Sequence, residues 1–475
     1  MGGRAASRAR ALSCATLVLV LGLESCSAEG PDLPVAAAQQ LPKPSAELRH
    51  LLLITADTWR ADHFLSERAG QRLTPSLDGL TTTGAVFTDN SSVASMTSPG
   101  VAGILTGLMP VRSGVLRNEH ILPTTVPTLP DTLRAAGFVT AAFVANPVLR
   151  PGLGFERGFD HYELVEPSPP EKKARAEAVT SRALAWLEGR DPAGPRVFLW
   201  VHYMEPHGPY EPGQAANALF PVEEFGDAEL AVRLLELKDP SGRGGIPGYQ
   251  WNTESFLRET DARSYLGRYA AEVWSFDRSV GVLLAGAEER GWMGSGGETL
   301  LVIASDHGEA LSNDHGFYFS HAHPPTQDQI QTPLMFVYPG ASGEQFAEPV
   351  SNLDIAPTTA ALLGVEPAAL TDGVNLLDRI EPRAVIAQYA QHRMTRLGRF
   401  KWSRSAKGAG SRVDLASDPG ERETAKFPAK IRTALSDEFD AQVRIQPLGD
   451  SASRFELDEA ERAELEALGY MESTP

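Results

Sequence analysis

Two acids and a histidine stand where apolar runs end, and their side chains are of the kinds that hold a metal ion. His50-Leu51-Leu52-Leu53-Ile54-Thr55-Ala56 leads into Asp57, and Thr299-Leu300-Leu301-Val302-Ile303-Ala304 leads into Ser305-Asp306-His307-Gly308-Glu309. Continuous apolar runs of this length read as strands covered on both faces of a parallel sheet, and ligands gather at the carboxyl ends of such strands. A lone Asp at such a position more often caps a strand than binds anything. Three metal-competent side chains at two strand ends predict instead that Asp57, Asp306 and His307 converge on one divalent cation.

Around these runs the sequence alternates strand-like and helix-like stretches. Val139 to Ala145, Val197 to His202 and Leu334 to Tyr338 are further strand candidates, and Thr128 to Ala136, Glu171 to Glu188 and Asp261 to Arg290 are helix candidates. Such alternation predicts βαβ units and an α/β fold with a mostly parallel sheet. Residues 211–259 carry Pro and Gly without clear periodicity and read as a long insertion over the site. Beyond about residue 380 short runs and turn signals such as Asp418-Pro419-Gly420 predict a smaller α+β unit. Its last helix opens on Asp458-Glu459-Ala460-Glu461, a capping box, and closes at Gly469.

The 475 residues, 42% of them hydrophobic, suffice for one large domain and a smaller one. A net charge of −18 with no basic run argues against nucleic acid as a partner. An anionic substrate must then be drawn in by a local site, such as a bound cation, and not by the field of the whole protein. Arg4, Arg8 and Arg10 precede an apolar stretch from Ala11 to Leu23, and Leu23-Glu24-Ser25-Cys26 follows. This is the layout of an export signal, and its end resembles a lipoprotein cleavage box with Cys26 as the lipidated residue, although Glu24 is unusual there. The expected organisation is a signal over residues 1–26, a linker over 27–47, a catalytic domain over 48–380 and a carboxyl-terminal subdomain over 381–475. The expected location is the cell envelope or periplasm, with membrane attachment through Cys26. Both cysteines, Cys14 and Cys26, lie in the leader, so no disulfide is expected after processing.

The run L-L-L-I-T-A-D-T-W-R-A-D-H (51–63), L-T-P-S-L-D-G-L (73–80), L-T-G-L-M-P (105–110), V-H-Y-M-E-P-H-G-P-Y (201–210), S-D-H-G-E-A (305–310), N-L-D-I-A-P-T (352–358) and L-E-A-L-G-Y (465–470) together resemble the sulfatase family of the alkaline phosphatase superfamily. The resemblance covers nearly all of the chain beyond residue 48. It implies a large mixed, mostly parallel sheet flanked by helices, with a smaller carboxyl-terminal sheet subdomain. Sulfatases proper place a Cys or Ser, oxidised to formylglycine, ten residues before the Gly of L-T-G. Counting back from Gly107 gives Thr97, in Thr97-Ser98-Pro99-Gly100-Val101. Threonine cannot become formylglycine, and the family's Arg is Val101. Unmodified Thr is nevertheless the nucleophile of related phosphodiesterases, so the resemblance implies Thr97 as nucleophile and metal ligand.

By residue type alone Thr97 reads as one hydroxyl in a Ser/Thr-rich loop. Pro99 suits a first helical position and Ser98 its cap, which would set Thr97 beside the positive helix end with backbone N–H groups for an anionic ester. The expected ligands are Asp57, Thr97, Asp306 and His307 around one divalent ion. Zinc or manganese suits such a mixed set better than calcium, which takes roughly six to eight oxygens, and calcium stays open if Thr58 or water joins the shell. His207 and His321 fall on family positions that contact ester oxygens or protonate the leaving group, and His202 is a further substrate contact. His321 is preferred over His323 by its spacing to Thr332. Arg60 and Asp62 either orient Asp57 or pair at the surface. The expected function is hydrolysis of sulfate or phosphate esters of small molecules, glycans or lipid headgroups, through a covalent intermediate. The alternative is a non-catalytic protein that binds anionic glycans or headgroups in the same pocket, motivated by Val101, Gly100 and Gly103. A headgroup transferase fits less well, because relatives of that kind carry several membrane spans.

Overall fold

The computed structural model describes residues 40–470 apart from 170, 227–230, 254–256, 294–296, 312–314, 342, 379, 381, 406–409 and 449–452. The expected signal, with Cys14 and Cys26, lies outside the described residues.

One large sheet carries the molecule. Its strands are β1 (His50–Ala56), β2 (Gly84–Phe87), β3 (Val139–Val144), β4 (His161–Leu164), β5 (Val197–Tyr203), β6 (Thr299–Ser305), β7 (Leu334–Val337) and β8 (Gln345–Phe346). Their order across the sheet is β8-β2-β7-β6-β1-β5-β3-β4. β1 lies between β6 and β5 and pairs in parallel with both. β7 runs antiparallel to its two neighbours, β2 and β6, which makes the sheet mixed.

The unbroken apolar runs have a simple cause. Leu52, Ile54, Leu199, Val201, Leu301 and Ile303 enter one core, and Leu51, Leu53, Phe198, Trp200, Leu300 and Val302 enter a second core on the other face. Successive strand residues point to opposite faces, so a strand covered on both sides must be apolar throughout.

The helices that matter are α1 (Thr97–Thr106), α2 (Leu129–Ala135), α3 (Ala176–Leu187), α4 (Ala262–Glu289) and α5 (Ile355–Leu362). α4 starts where expected, with the Asp261 side chain accepting the N–H of Arg263 at 3.0 Å. α3 starts five residues later than the Glu171 expected from periodicity. Its first N–H, on Ala176, is capped at 2.8 Å by the Glu205 carboxylate, which arrives from the end of β5. The preceding segment stays non-helical and puts the Lys173 ammonium 3.0 Å from Glu272 and 2.6 Å from the His207 carbonyl.

The smaller sheet is antiparallel, with β9 (Val385–Tyr389), β10 (His392–Leu397), β11 (Phe400–Ser405) and β12 (Gly410–Asp414) in sequence order. Helix α6 (Ala429–Val443) packs on it through Ile431 and Leu435, which meet Phe400 and Phe427. The last helix, α7 (Glu459–Ala467), has the expected capping box between Asp458 and Glu461, and Gly469 has φ +83°. It packs against the large sheet's cores and not the small sheet: Leu465 enters one core and Leu468 the other. Among the described residues no helix is long and apolar enough to cross a membrane.

Candidate active site

Register brings the site together. Ala56 is opposite Ser305 and Thr55 is opposite His202, so the residues that follow β1 and β6, Asp57 and Asp306, emerge side by side with His202 next to them. Asp57, His202 and Asp306 are fully buried, and one ligand atom from each lies within 4.8 Å of the others. Asp57 Oδ1, Asp306 Oδ2 and His202 Nε2 have no hydrogen-bond partner. Unpaired buried carboxylates are costly, so this orphaned donor set fits a cation.

Each of these groups is fixed from behind. Asp306 Oδ1 accepts the N–H of Thr58 at 3.2 Å and of His307 at 2.7 Å. Thr58 adopts φ +59°, a left-handed conformation that is strained for a β-branched residue and that presents its N–H to Asp306. His202 Nδ1 lies 2.8 Å from Thr55 Oγ1, which also accepts the indole N–H of Trp200 at 2.9 Å. Asp57 Oδ2 accepts from the Asn146 amide and from the Tyr470 hydroxyl, the latter at 3.1 Å.

His307 Nδ1 faces the Gly308 carbonyl at 2.8 Å, which places the proton there and leaves Nε2 with a free lone pair. That Nε2 lies 3.5 Å from Asp57 Oδ1, 3.6 Å from Asp306 Oδ2 and 3.3 Å from the Thr97 hydroxyl. His207 Nδ1 likewise faces the Gly208 carbonyl at 2.6 Å, and its Nε2 is buried without a partner. The His321 ring lies 4.8 Å from that of His207 and 4.7 Å from that of His307. Its Nδ1 is 3.3 Å from Glu309, a fully buried carboxylate.

Thr97 opens α1. Its Oγ1 lies 3.4 Å from Asp57 Oδ2 and is completely buried. The helix starts at Thr97, after Met96, so Ser98 does not cap it and Pro99 is its third residue. The Ser98 side chain is held instead by the carbonyls of Asn118 and Val148. The Ser98 N–H donates to Asn118 Oδ1 at 3.0 Å, and Pro99 has no N–H. The Gly100 N–H bonds to the Met96 carbonyl at 3.0 Å, so Ser98, Pro99 and Gly100 offer an anion no free N–H, in contrast to the cluster of amides expected. Gly100 packs this turn against Asp306, since a Cβ there would sit 2.5 Å from the Asp306 carbonyl oxygen. Val101 is buried in the core.

Burial without compensating charge dominates the electrostatics. It pushes the Asp57 carboxyl up to about 8, and burial together with Asp57 raises Asp306. Glu309 is raised by burial. His202 and His321 are pushed down to about 3, and His207 and His307 are lowered, so the imidazoles are neutral. The contacts from His307 to the two acids are thus not ion pairs. They are donor atoms facing a common space.

Of the expected residues, Asp57, Thr97, Asp306, His307, His207 and His321 lie in one cluster. His202, expected as a substrate contact, also has a ligand atom within 4.8 Å of those of Asp57 and Asp306. His323 sits apart, stacked 3.6 Å from Phe317 and bonded to Ser320. Arg60 pairs with Asp62 at 2.7 Å and donates to the Glu309 carbonyl at 2.8 Å, while Asp62 also meets His63, so neither orients Asp57. Sequence reasoning missed Asn146, Tyr470, Glu309 and Thr55. Asn146 had a local signal, an Asn-Pro step just past a strand. From the insertion, Tyr249 and Gln250 donate to the Phe319 carbonyl at 2.9 and 3.1 Å, two residues from His321.

The Sulfatase family model matches residues 49–365. The chain belongs to the sulfatase family and is a sulfatase-like ester hydrolase. It is 25% identical to the choline-sulfatase of Rhizobium meliloti over 425 residues, covering 78% of this chain and 81% of that protein. Its fold is similar to that of the phosphonate monoester hydrolase of Agrobacterium radiobacter, at 21% identity and TM-score 0.65, covering 84% of this chain and 95% of that one. BT4656, solved with its substrate D-glucosamine-2-N,6-O-disulfate, has TM-score 0.66 at 18% identity, covering 84% and 97%.

Proposed function

We propose that this chain is an exported, metal-dependent hydrolase of sulfate or phosphate esters in which Thr97 is the nucleophile. The observation that carries this reading is the buried set of Asp57 Oδ1, Asp306 Oδ2 and His202 Nε2, unpartnered and within reach of one ion, with Thr97 and the free His307 Nε2 beside it. Asp57, Asp306, His202 and His307, with Thr97, would hold a divalent ion, zinc or manganese before calcium. Bound there, the ion supplies the positive charge that favours the alkoxide of Thr97 and the anionic oxygens of the ester.

The residues do the rest. Thr97 Oγ1 bonds to phosphorus or sulfur in line with the leaving oxygen, and its proton passes to Asp57 Oδ2, 3.4 Å away. The ester bond breaks, and the leaving alkoxide takes a proton from His207 or His321. Both imidazoles are neutral before substrate arrives, and the negative charge of the ester favours their protonation. Glu309 holds His321 by its Nδ1, which directs Nε2 away from that carboxylate. Water then releases the group from Thr97.

Formylglycine escapes a second attack at sulfur by elimination from a hemiacetal, a route closed to Thr97. Water releases a phosphoryl group from Thr more readily, so the preferred substrate class is a phosphodiester or phosphonate ester. The relatives named for choline sulfate and phosphonate monoesters span both chemistries. Export, and lipid anchoring at Cys26, are part of the proposal and rest on the leader sequence. A non-catalytic anion-binding role draws on Val101, which leaves the helix start without its Arg. Turnover of paired aryl sulfate, aryl phosphodiester and phosphonate ester by wild type and Thr97→Ala tests the proposal. Loss of phosphoric ester turnover in the variant supports it. No turnover of any ester by metal-loaded wild type supports the binding role.

A further inference from the structure

Tyr470 reaches into this site from 413 residues beyond Asp57 in the chain. Its hydroxyl lies 3.1 Å from Asp57 Oδ2 and also bonds to the Asn146 amide. Its ring stacks on His207, with centroids 4.7 Å apart and planes at 26°. Asn146 donates to Asp57 Oδ2 as well. An amide N–H can only donate, so the phenol oxygen accepts from Asn146 and gives its own proton to the carboxylate. Asp57 Oδ2 thereby takes two firm hydrogen bonds while Oδ1 takes none.

The chain is built to bring Tyr470 there. α7 is clamped to the large domain by Arg150, which pairs with Glu461 at 2.9 Å and Glu464 at 2.7 Å. Leu465 in the last turn of the helix and Leu468 just after it are buried. Gly469 then bends the chain inward at φ +83°, and a Cβ at that position would lie 2.5 to 2.9 Å from the ring of Tyr249. Backbone conformation and space both require glycine at this step.

We infer that Tyr470 is a positioning residue for the metal site: with Asn146 it holds Asp57 through Oδ2, so that Oδ1 alone faces the ion. The inference deepens the proposed metal-dependent activity and rests on it. Hydrogen bonds to the outer oxygen of a ligating carboxylate fix its rotation and spare the ion the cost of ordering it. The ring has a separate part, keeping His207 in plane beside the reacting oxygens.

Tyr470→Phe separates the two, because it keeps the ring and removes the hydroxyl. Metal affinity is measured on the full-length protein by competition of zinc or manganese with a chromophoric chelator, alongside melting with and without metal. Tyr470→Phe is expected to melt like wild type without metal and to bind the ion about tenfold more weakly, the lower end of the range for loss of a partner of a metal ligand. On a phosphodiester kcat should fall with KM little changed, and Tyr470→Ala should add a loss from the freed His207. Wild-type affinity in Tyr470→Phe, with wild type itself binding one ion, overturns the inference and leaves the metal site standing. Wild type that binds no ion overturns both.

Discussion

Gly100→Ala is the smallest change that should separate the nucleophile from the acids. Gly100 lies on the first turn of α1, three residues after Thr97, where the helix meets the backbone that follows β6. The new methyl would stand 2.5 Å from the Asp306 carbonyl oxygen and 3.1 Å from its carbonyl carbon. Relief to ordinary contact requires a retreat of about 0.9 Å, and neither side gives easily, since both are backbone. The Asp306 carbonyl also accepts the Ser92 hydroxyl, which anchors it. Crowding of this kind typically costs about 1–3 kcal/mol. Alanine in a helix interior returns roughly 1 kcal/mol relative to glycine. The variant should thus fold, with stability lower by about 0–2 kcal/mol, while Thr97 moves away from Asp57 and His307. A displacement near 1 Å at a reacting group costs on the order of 100-fold in rate. The assay is kcat on an aryl phosphodiester together with the melting temperature. Gly103→Ala is the control: its methyl crowds the buried Val93 side chain at 2.6 Å and not the backbone of Asp306, so it should cost stability while activity is largely kept. Wild-type turnover in Gly100→Ala would show that the close approach of α1 to Asp306 does not set the reacting geometry.

Asp306→Asn should remove most bound metal while unfolding stays cooperative, and elemental analysis showing equal metal in variant and wild type would remove Asp306 from the ligand set. Thr97→Ala should lower turnover by several orders of magnitude with little change in melting temperature, and Thr97→Ser should retain part of the activity. Metal-free protein should lose stability as pH rises from about 6.5 to 8. The sign follows from Asp57: a carboxyl raised in the fold to about 8 contributes stability below its unfolded pKa that is lost as pH climbs through the folded value. The imidazoles of His202 and His321, lowered to about 3, add stability as pH rises towards their unfolded value near 6.5 and nothing more above it. Metal-loaded protein should melt nearly independently of pH across that window, so a metal-free sample that is equally flat would contradict the burial of these acids.

The parts of the fold that could be read from the chain are those whose cause is local. β1 and β6 announced themselves because both faces are covered, and α4 because its amphipathic face and its Asp261 cap are written in adjacent residues. The start of α3 was misplaced because its cap, Glu205, comes from another strand. The start of α1 was misread for the same reason, since Asn118 and Val148 satisfy the Ser98 groups that would otherwise cap a helix. Asp57, Asp306 and His307 were legible as strand-end chemistry. The place of His202 depends on the register Thr55↔His202, which no single segment encodes. Tyr470 ends the run L-E-A-L-G-Y, yet nothing near it in sequence states that its hydroxyl reaches Asp57.

Peptide mass spectrometry of enzyme quenched during turnover of a phosphodiester shows whether Thr97 takes part covalently. One added phosphoryl-ester group is expected, located on Thr97 and absent from Thr97→Ala. The same group on another residue, or full turnover by Thr97→Ala, would contradict it.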